Sequence, residues 1–349
     1  MDGRILADHV ERCLLCGESG KPVYKNLPDR LFDVPGTWDI WGCSSCDFRW
    51  LTPRPLADEI PKLYASYYTH ETQDMDTRRL RLRKHIKDAI LGTVLHYDNI
   101  ALSRSSRRLG KVLGLLPFFR NRVLSAMMFI DGAWRGKLLD VGCGNGLFLA
   151  YMRKYGWEVA GIEPDPDAAR IAREKYGIQV VAGDLKDSPL EEESLDVITM
   201  NHVIEHFADP IAQLKECRRL LKAGGKLVLA APNIRSLGLR FYGPSWFNLD
   251  PPRHFYHFSP RSFRTCAERA GFRVQSLRTI SRSSRVSWSG SHLIQKNGKW
   301  PGINPRHISL GLRLEGRMLM TVDKLLIPLL RESGDEILMI ATKDGGPGR

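Results

Sequence analysis

The sequence predicts an α/β protein: a mostly parallel sheet forms the main domain, preceded by a small cysteine-bearing unit and a basic helical segment. Three observations predict it. From Gly136 onward, apolar runs of strand length alternate with helix-length segments, the spacing of a parallel sheet with helical crossovers. The first run, Leu138-Leu139-Asp140-Val141, enters Gly142-Cys143-Gly144-Asn145-Gly146, a strand leading through a tight glycine turn into a helix N-terminus. Near the start of the chain, Cys13-x-x-Cys16 and Cys43-x-x-Cys46 stand 26 residues apart.

Taken in order, the cysteine pairs come first. Two thiolates two residues apart bite one zinc from a tight turn, and a second such knuckle completes a closed four-sulfur site. Cys13, Cys16, Cys43 and Cys46 are therefore the expected ligands of a structural zinc, in a small β-rich unit spanning residues 1–55. The alternatives are a redox dithiol or unlinked buried cysteines. Gly17 suits the turn after the first pair, and Asp47 occupies the matching place after the second. Seven cysteines, four of them in close pairs, suit a reducing compartment better than a disulfide framework.

The chain changes character after Pro53-Arg54-Pro55. Residues 56–68 read as a short helix, followed by a polar break. Residues 77–130 read as basic helices interrupted at Gly92, Gly110, Gly114 and Pro117. Between Arg78 and Ser125 twelve Lys/Arg stand against Asp88 and Asp98, so most of the net charge of +13 comes from this stretch. One reading lays these helices on an anionic membrane or a polyanionic substrate, with Phe118-Phe119 and Met127-Met128-Phe129 as apolar wedges. The simpler reading, taken as the expectation, packs the helices on the main domain with their charges facing water. Residues 56–130 are accordingly a linker or cap, and 131–349 the main domain. No uncharged apolar run reaches 18 residues and the N-terminus lacks a basic-then-apolar pattern, so a soluble, cytoplasmic protein is expected, with peripheral membrane contact as a further option.

In the main domain, residues 137–141 and 157–163 read as the first two strands. Glu163 closes the second, 23 residues after Asp140, where an acid accepts the hydroxyls of a ribose lying across the sheet. The third strand, 178–182, ends in Gly183-Asp184-Leu185; Asp184 is placed to take an adenine amino group, with Leu185 supplying a backbone donor. Residues 194–200 form the fourth strand and run into Asn201-His202-Val203-Ile204-Glu205-His206. A fifth follows Leu220-Leu221-Lys222-Ala223-Gly224-Gly225-Lys226, a sixth covers 272–279 and a last one 336–342.

These motifs, in this order over residues 136–232, resemble those of class I S-adenosylmethionine-dependent methyltransferases. The resemblance implies a Rossmann-like seven-stranded sheet whose last strand inserts antiparallel beside an earlier one. It implies S-adenosylmethionine as cofactor, with Gly142, Cys143 and Gly144 presenting backbone to its methionine part. Asp140 would organise the ammonium group, and Asn201 would face the same moiety. An N-terminal zinc ribbon resembles bacterial enzymes acting on sugars and other small molecules.

A sulfonium methyl is already activated, so methyl transfer to a hydroxyl needs alignment and a base. The candidates are His254, then His257, in the aromatic loop Trp246-Phe247-Asn248-Leu249-Asp250-Pro251-Pro252-Arg253-His254-Phe255-Tyr256-His257-Phe258, and His206. His202 and His206, four apart, are expected on one face of a helix start. The alternative is that both loop histidines bond only to backbone. Ser259, Pro260 and Gly271 mark a helix cap, first position and stop, and that order puts the loop across the methyl-transfer crevice. The favoured acceptor is a hydroxyl of a sugar, glycan or other polar small molecule, with a lipid-linked acceptor as one option. An RNA base methyltransferase is the competing expectation, weakened because the fourth motif lacks an Asn/Asp-Pro-Pro-Phe/Tyr arrangement. A cofactor-sensing binding module without activity is the third.

Overall fold

In chain order the elements are β1 (Ala7–Asp8), β2 (Lys21–Leu27), β3 (Trp38–Gly42), β4 (Arg49–Thr52), β5 (Arg54–Pro55), α1 (Ile60–Leu63), α2 (Arg78–Val94), α3 (Arg104–Leu115), α4 (Pro117–Ala126), β6 (Lys137–Val141), α5 (Leu147–Lys154), β7 (Glu158–Glu163), α6 (Pro166–Tyr176), β8 (Gln179–Ala182), β9 (Leu195–Asn201), α7 (Pro210–Leu220), β10 (Leu221–Pro232), α8 (Leu237–Tyr242), β11 (Tyr256–His257), α9 (Pro260–Arg269), β12 (Phe272–Ile280), α10 (Ser284–Asn297) and β13 (Glu336–Lys343). This computed structural model describes residues 5–64, 78–282, 284–301, 311, 314–316, 318, 320–321, 330 and 332–344. The polar break after residue 68, most of the stretch 302–331 and the tail from Gly345 fall outside the described residues.

A mixed seven-stranded sheet runs in the order β12-β13-β10-β9-β6-β7-β8. The last strand in sequence thus lies between β12 and β10. Near-continuous apolar runs explain the central strands: Leu138, Leu139 and Val141 of β6 and Val197, Ile198 and Met200 of β9 are all buried, as parallel strands covered on both faces require. The chain divides into two units, one containing residues 1–67, 201–215 and 229–341, the other 68–200, 216–228 and 342–349.

In the second unit, β6 pairs in parallel with β7 and β9, and β7 with β8. α6 begins at Asp165, whose carboxylate accepts from the amides of Asp167 and Ala168, and stops at Gly177 with φ +59°. Two expectations for the basic segment are corrected here. Gly92, Gly110 and Gly114 do not interrupt helices; they lie inside α2 and α3. A β-carbon on Gly110 would stand 2.2 Å from the Ala89 carbonyl oxygen, so the glycine permits close approach of the two helices. Met127, Met128 and Phe129 are not wedges, because all three are buried.

In the first unit, β11, β4, β3 and β2 form a four-stranded sheet in that order. Alternation places Trp38 and Ile40 of β3 inward. β11 comes from the aromatic loop some 200 residues downstream and pairs antiparallel with β4, Tyr256 opposite Trp50 and His257 opposite Arg49. Phe48 stacks on Tyr256 at 5.2 Å and packs against Phe258 at 5.3 Å, which fastens loop to sheet. α9 has the anticipated boundaries: Ser259 and Ser262 form a reciprocal capping box, Pro260 is the first residue, and Gly271 follows with φ +86°. The helix anticipated over 56–68 is a turn of 3-10 helix at Ala57–Glu59 and the short α1, as far as the described residues extend.

Candidate active site

The glycine turn in the second unit has a backbone that only glycine adopts readily. Gly142, Gly144 and Gly146 have φ of +71°, +53° and +77°, values that a side chain would strain. A β-carbon on Gly144 would meet nothing within 4 Å, so space lies open over this residue. Gly146 is closed instead: its β-carbon would stand 2.7 Å from that of Ala172, which locks the turn on α6. The Gly142 and Cys143 amides both donate to the Ile162 carbonyl oxygen. The Cys143 thiol is buried, and a β-carbon on Gly161 would approach it to 2.5 Å, so the sulfur is packed against β7.

Two acids stand at this turn. Glu163 accepts from the Gly144 amide through Oε2 at 2.7 Å and from the Asp165 amide through Oε1 at 3.0 Å. The carboxylate thus lies against the turn at the carboxyl end of β7. Asp140 is buried, and its Oδ1 accepts from the Thr199 hydroxyl at 2.6 Å. Burial, aided by the nearby Glu163 charge, pushes the Asp140 carboxyl up to about 7. A cationic ligand group would restore its ionisation. Asp184 is exposed and makes no side-chain cap to the 3-10 turn that follows it, while Leu185 is buried. These donors and acceptors suit an adenosine ribose and an ammonium group, so the residues present fit S-adenosylmethionine.

The histidines belong to the first unit, and the structure corrects one expectation about them. His202 and His206 do not share a helix face, because only a 3-10 turn at Ile204–His206 forms there and His202 has φ +56°. His202 turns instead to two fully buried acids, with Nδ1 3.5 Å from Glu205 and Nε2 3.5 Å from Glu336. Burial opposes its charge, yet these carboxylates raise it to about 10. Asn201 is held by Arg282, which also pairs with Glu336 at 2.8 Å.

The remaining histidines gather. His206 and His254 rings meet edge to face at 4.6 Å, and His254 and His257 at 6.1 Å. His254 Nδ1 lies 2.9 Å from the Asn248 carbonyl oxygen, which only accepts; Nδ1 therefore carries the proton and Nε2 a lone pair. Burial lowers His254 to about 4, so the ring is neutral near pH 7. Its Nε2 stands 3.8 Å from Asp250 and 4.0 Å from Glu205. His257 Nε2 donates to the Leu249 carbonyl at 3.0 Å, which leaves the buried Nδ1 without a partner among the described residues. His206 Nδ1 contacts the Tyr64 hydroxyl at 2.9 Å and the Arg253 carbonyl at 3.1 Å. Backbone bonds to both loop histidines thus exist, but each uses one nitrogen and frees the other.

Several residues here escaped sequence reasoning. Arg253 is fully buried, forks onto Asp29 at 2.8 and 2.7 Å, donates from Nε to Asp250 at 2.9 Å and lies over the Phe32 ring at 4.5 Å. Burial alone would raise Asp29, yet the Arg253 guanidinium holds it below the usual carboxylate range. Glu205 is fully buried, and neither oxygen has a hydrogen-bond partner among the described residues. Burial would raise this acid, but His202 and the neighbouring histidines bring it to about 2. Its position directly before His206 was the available signal. Ligand atoms of Glu205, His206 and His254 lie within 4.8 Å of one another, a donor set that a divalent ion would accept.

The second donor set is the cysteine cluster. Sγ atoms of Cys13 and Cys46 are 3.3 Å apart, Cys16 and Cys43 3.4 Å, and Cys16 and Cys46 3.7 Å. Four thiolates at ~2.3 Å from one zinc stand about 3.8 Å apart, so these sulfurs fit a tetrahedral site. The knuckles have matching backbone: Gly17 N donates to the Cys13 carbonyl and Asp47 N to that of Cys43, with φ of +78° and +58°.

Residues 110–277 match a family model described as a methyltransferase domain. Over 136 residues the chain is 35% identical to a ubiquinone biosynthesis O-methyltransferase of Cereibacter sphaeroides, covering 36% of this chain and 53% of that protein. Over 157 residues it is 32% identical to the protein of the same name from Xanthomonas oryzae pv. oryzae, covering 42% of this chain and 64% of that one. The chain therefore spans between about half and two thirds of the length of these relatives. Among solved structures, a SAM-dependent methyltransferase from Archaeoglobus fulgidus aligns with TM-score 0.42 and 22% identity, over 66% of this chain and 94% of that one. On the family match and the seven-stranded sheet, this chain contains a methyltransferase domain of Rossmann-like fold.

Proposed function

We propose that the protein transfers the methyl group of S-adenosylmethionine to a hydroxyl of a small polar acceptor, with His254 Nε2 taking the hydroxyl proton. When bound, S-adenosylmethionine supplies an electrophilic sulfonium methyl. The acceptor oxygen would take that methyl as the carbon–sulfur bond breaks, with S-adenosylhomocysteine as the leaving product and the hydroxyl proton passing to His254. Gly144 offers open backbone, Glu163 the ribose acceptors and Asp140 a counter-charge to the ammonium group. Cys143 and Leu185 contribute backbone, and Asp184 receives the adenine amino group. Asn201 is assigned to the methionine moiety by resemblance alone. The observation that carries the acceptor chemistry is the tautomer of His254: Asn248 fixes the proton on Nδ1, and the Glu205 and Asp250 carboxylates stand ready to stabilise the imidazolium formed at Nε2. The names of the relatives favour oxygen as the atom methylated. A sugar or glycan hydroxyl remains the preferred acceptor in this reading, and nucleic acid the less favoured one.

The test is incubation with methyl-labelled cofactor and separate polar-metabolite, lipid and RNA extracts. Label in an O-methyl ether is expected, and label in RNA would sink the proposal. His254→Gln should lower turnover roughly 100- to 10,000-fold while cofactor affinity stays unchanged; equal turnover in that variant removes the base assignment.

A second reading rests on the Glu205 oxygens, which lack a hydrogen-bond partner among the described residues: Glu205, His206 and His254 would hold a divalent ion, which would supply Lewis-acid chemistry to the acceptor. Turnover insensitive to chelation would end it. Cys13, Cys16, Cys43 and Cys46 are assigned one structural zinc, which metal analysis of the purified protein should find in equimolar amount.

A further inference from the structure

Beyond methyl transfer, we propose that the corner between α3 and α4 docks the protein on an anionic phospholipid surface. α3 packs on α2 through Gly110 and Gly114, whose β-carbons would meet the Ala89 carbonyl and the Val94 side chain at 2.2 and 2.6 Å. The rest of its surface is free of that contact and carries both apolar and basic residues. Leu109, Val112, Leu115, Leu116 and Phe118 are exposed, Leu115 by 82% and Phe118 by 64%. A folded chain does not ordinarily leave five large apolar side chains in ten residues uncovered. α4 is anchored meanwhile by buried Val123 and Leu124, so the exposed set is confined to the corner.

Charge names the occupant. Arg104, Arg107, Arg108, Lys111, Arg120 and Arg122 are all exposed around the apolar corner, and no acid occurs from residue 99 to 130. Basic residues flanking an apolar wedge fit lipid headgroups above and acyl chains below, with the apolar face sinking roughly 5–10 Å. A nucleic acid would match the charge but would leave Leu115, Leu116 and Val112 without a partner, since single strands want an aromatic platform. No helix among the described residues is long and apolar enough to cross a membrane.

The experiment is flotation of the full chain with vesicles of phosphatidylcholine alone and of phosphatidylcholine mixed with phosphatidylglycerol. Binding only to the mixed vesicles, weakened by salt, is expected. Leu115→Glu combined with Phe118→Glu should remove binding, and each basic residue changed to Gln should weaken it about fivefold. Both positions are exposed, so an unchanged thermal transition shows that these variants fold. Absence of binding to mixed vesicles overturns the proposal. So does vesicle binding that survives Leu115→Glu with Phe118→Glu, or a short single-stranded RNA that binds with the same dependence on both.

Discussion

The glycine turn around Asp140 and the histidine cluster around Glu205 are built by opposite means. At the turn, contiguous residues present backbone, and two acids 23 positions apart complete the cradle. The cluster is made of side chains, and the Arg253–Asp29 fork beside it spans 224 residues. A backbone site depends on local conformation and tolerates change elsewhere. A side-chain site depends on packing and on buried charges that are costly to orphan.

That contrast is most sharply tested by His254→Gln, for which turnover should fall roughly 100- to 10,000-fold with cofactor affinity intact. Coupled loss of cofactor binding, read by calorimetry, would show that the two regions are not separable in this way. Next in size, Arg253→Met should cost about 3–5 kcal/mol in urea unfolding, because Asp29 and Asp250 then lie buried beside an apolar chain. Adding Asp29→Asn should recover part of the loss; a pair of strictly additive effects would deny the coupling. Thr199→Val leaves the buried Asp140 without its hydroxyl donor and should destabilise by about 1–3 kcal/mol, with weaker cofactor binding.

The smallest effect is a pH dependence. Asp140 is held up at about 7, whereas in an unfolded chain it loses its proton near ~3.9. Between these values the unfolded chain has released a proton that the folded protein retains, so this group costs stability as pH rises from about 4 to about 7. A cationic ligand reverses the preference. Cofactor affinity should therefore rise between pH 6 and 8 and level off above, by fluorescence titration, and the rise should vanish in Asp140→Asn.

Much of the first region was legible because its chemistry is local. Strand, turn and helix follow from apolar spacing and glycine positions, and Asp140, Gly144 and Glu163 stand where these dictate. The same holds for the cysteine knuckles, whose φ values suit Gly17 and Asp47, and for the Ser259 cap. The second region was legible only in its histidines. Reading His202 and His206 as one helix face failed because His202 adopts a left-handed conformation and faces Glu336, a residue from the far end of the chain. Gly110 and Gly114 looked like breaks because a sequence does not show a neighbouring helix.

The sequence by itself determined the order of strands and helices, the bare-backbone turn and the four-thiolate set, since each arises from residues close along the chain. Only the tertiary structure decided that Arg253 is buried between Asp29 and Asp250, that Glu205 is enclosed by histidines, and that β11 joins the sheet of the cysteine unit. Those outcomes turn on which distant groups share a low-dielectric interior, where an unpaired charge is prohibitive and a paired one fixes its neighbours.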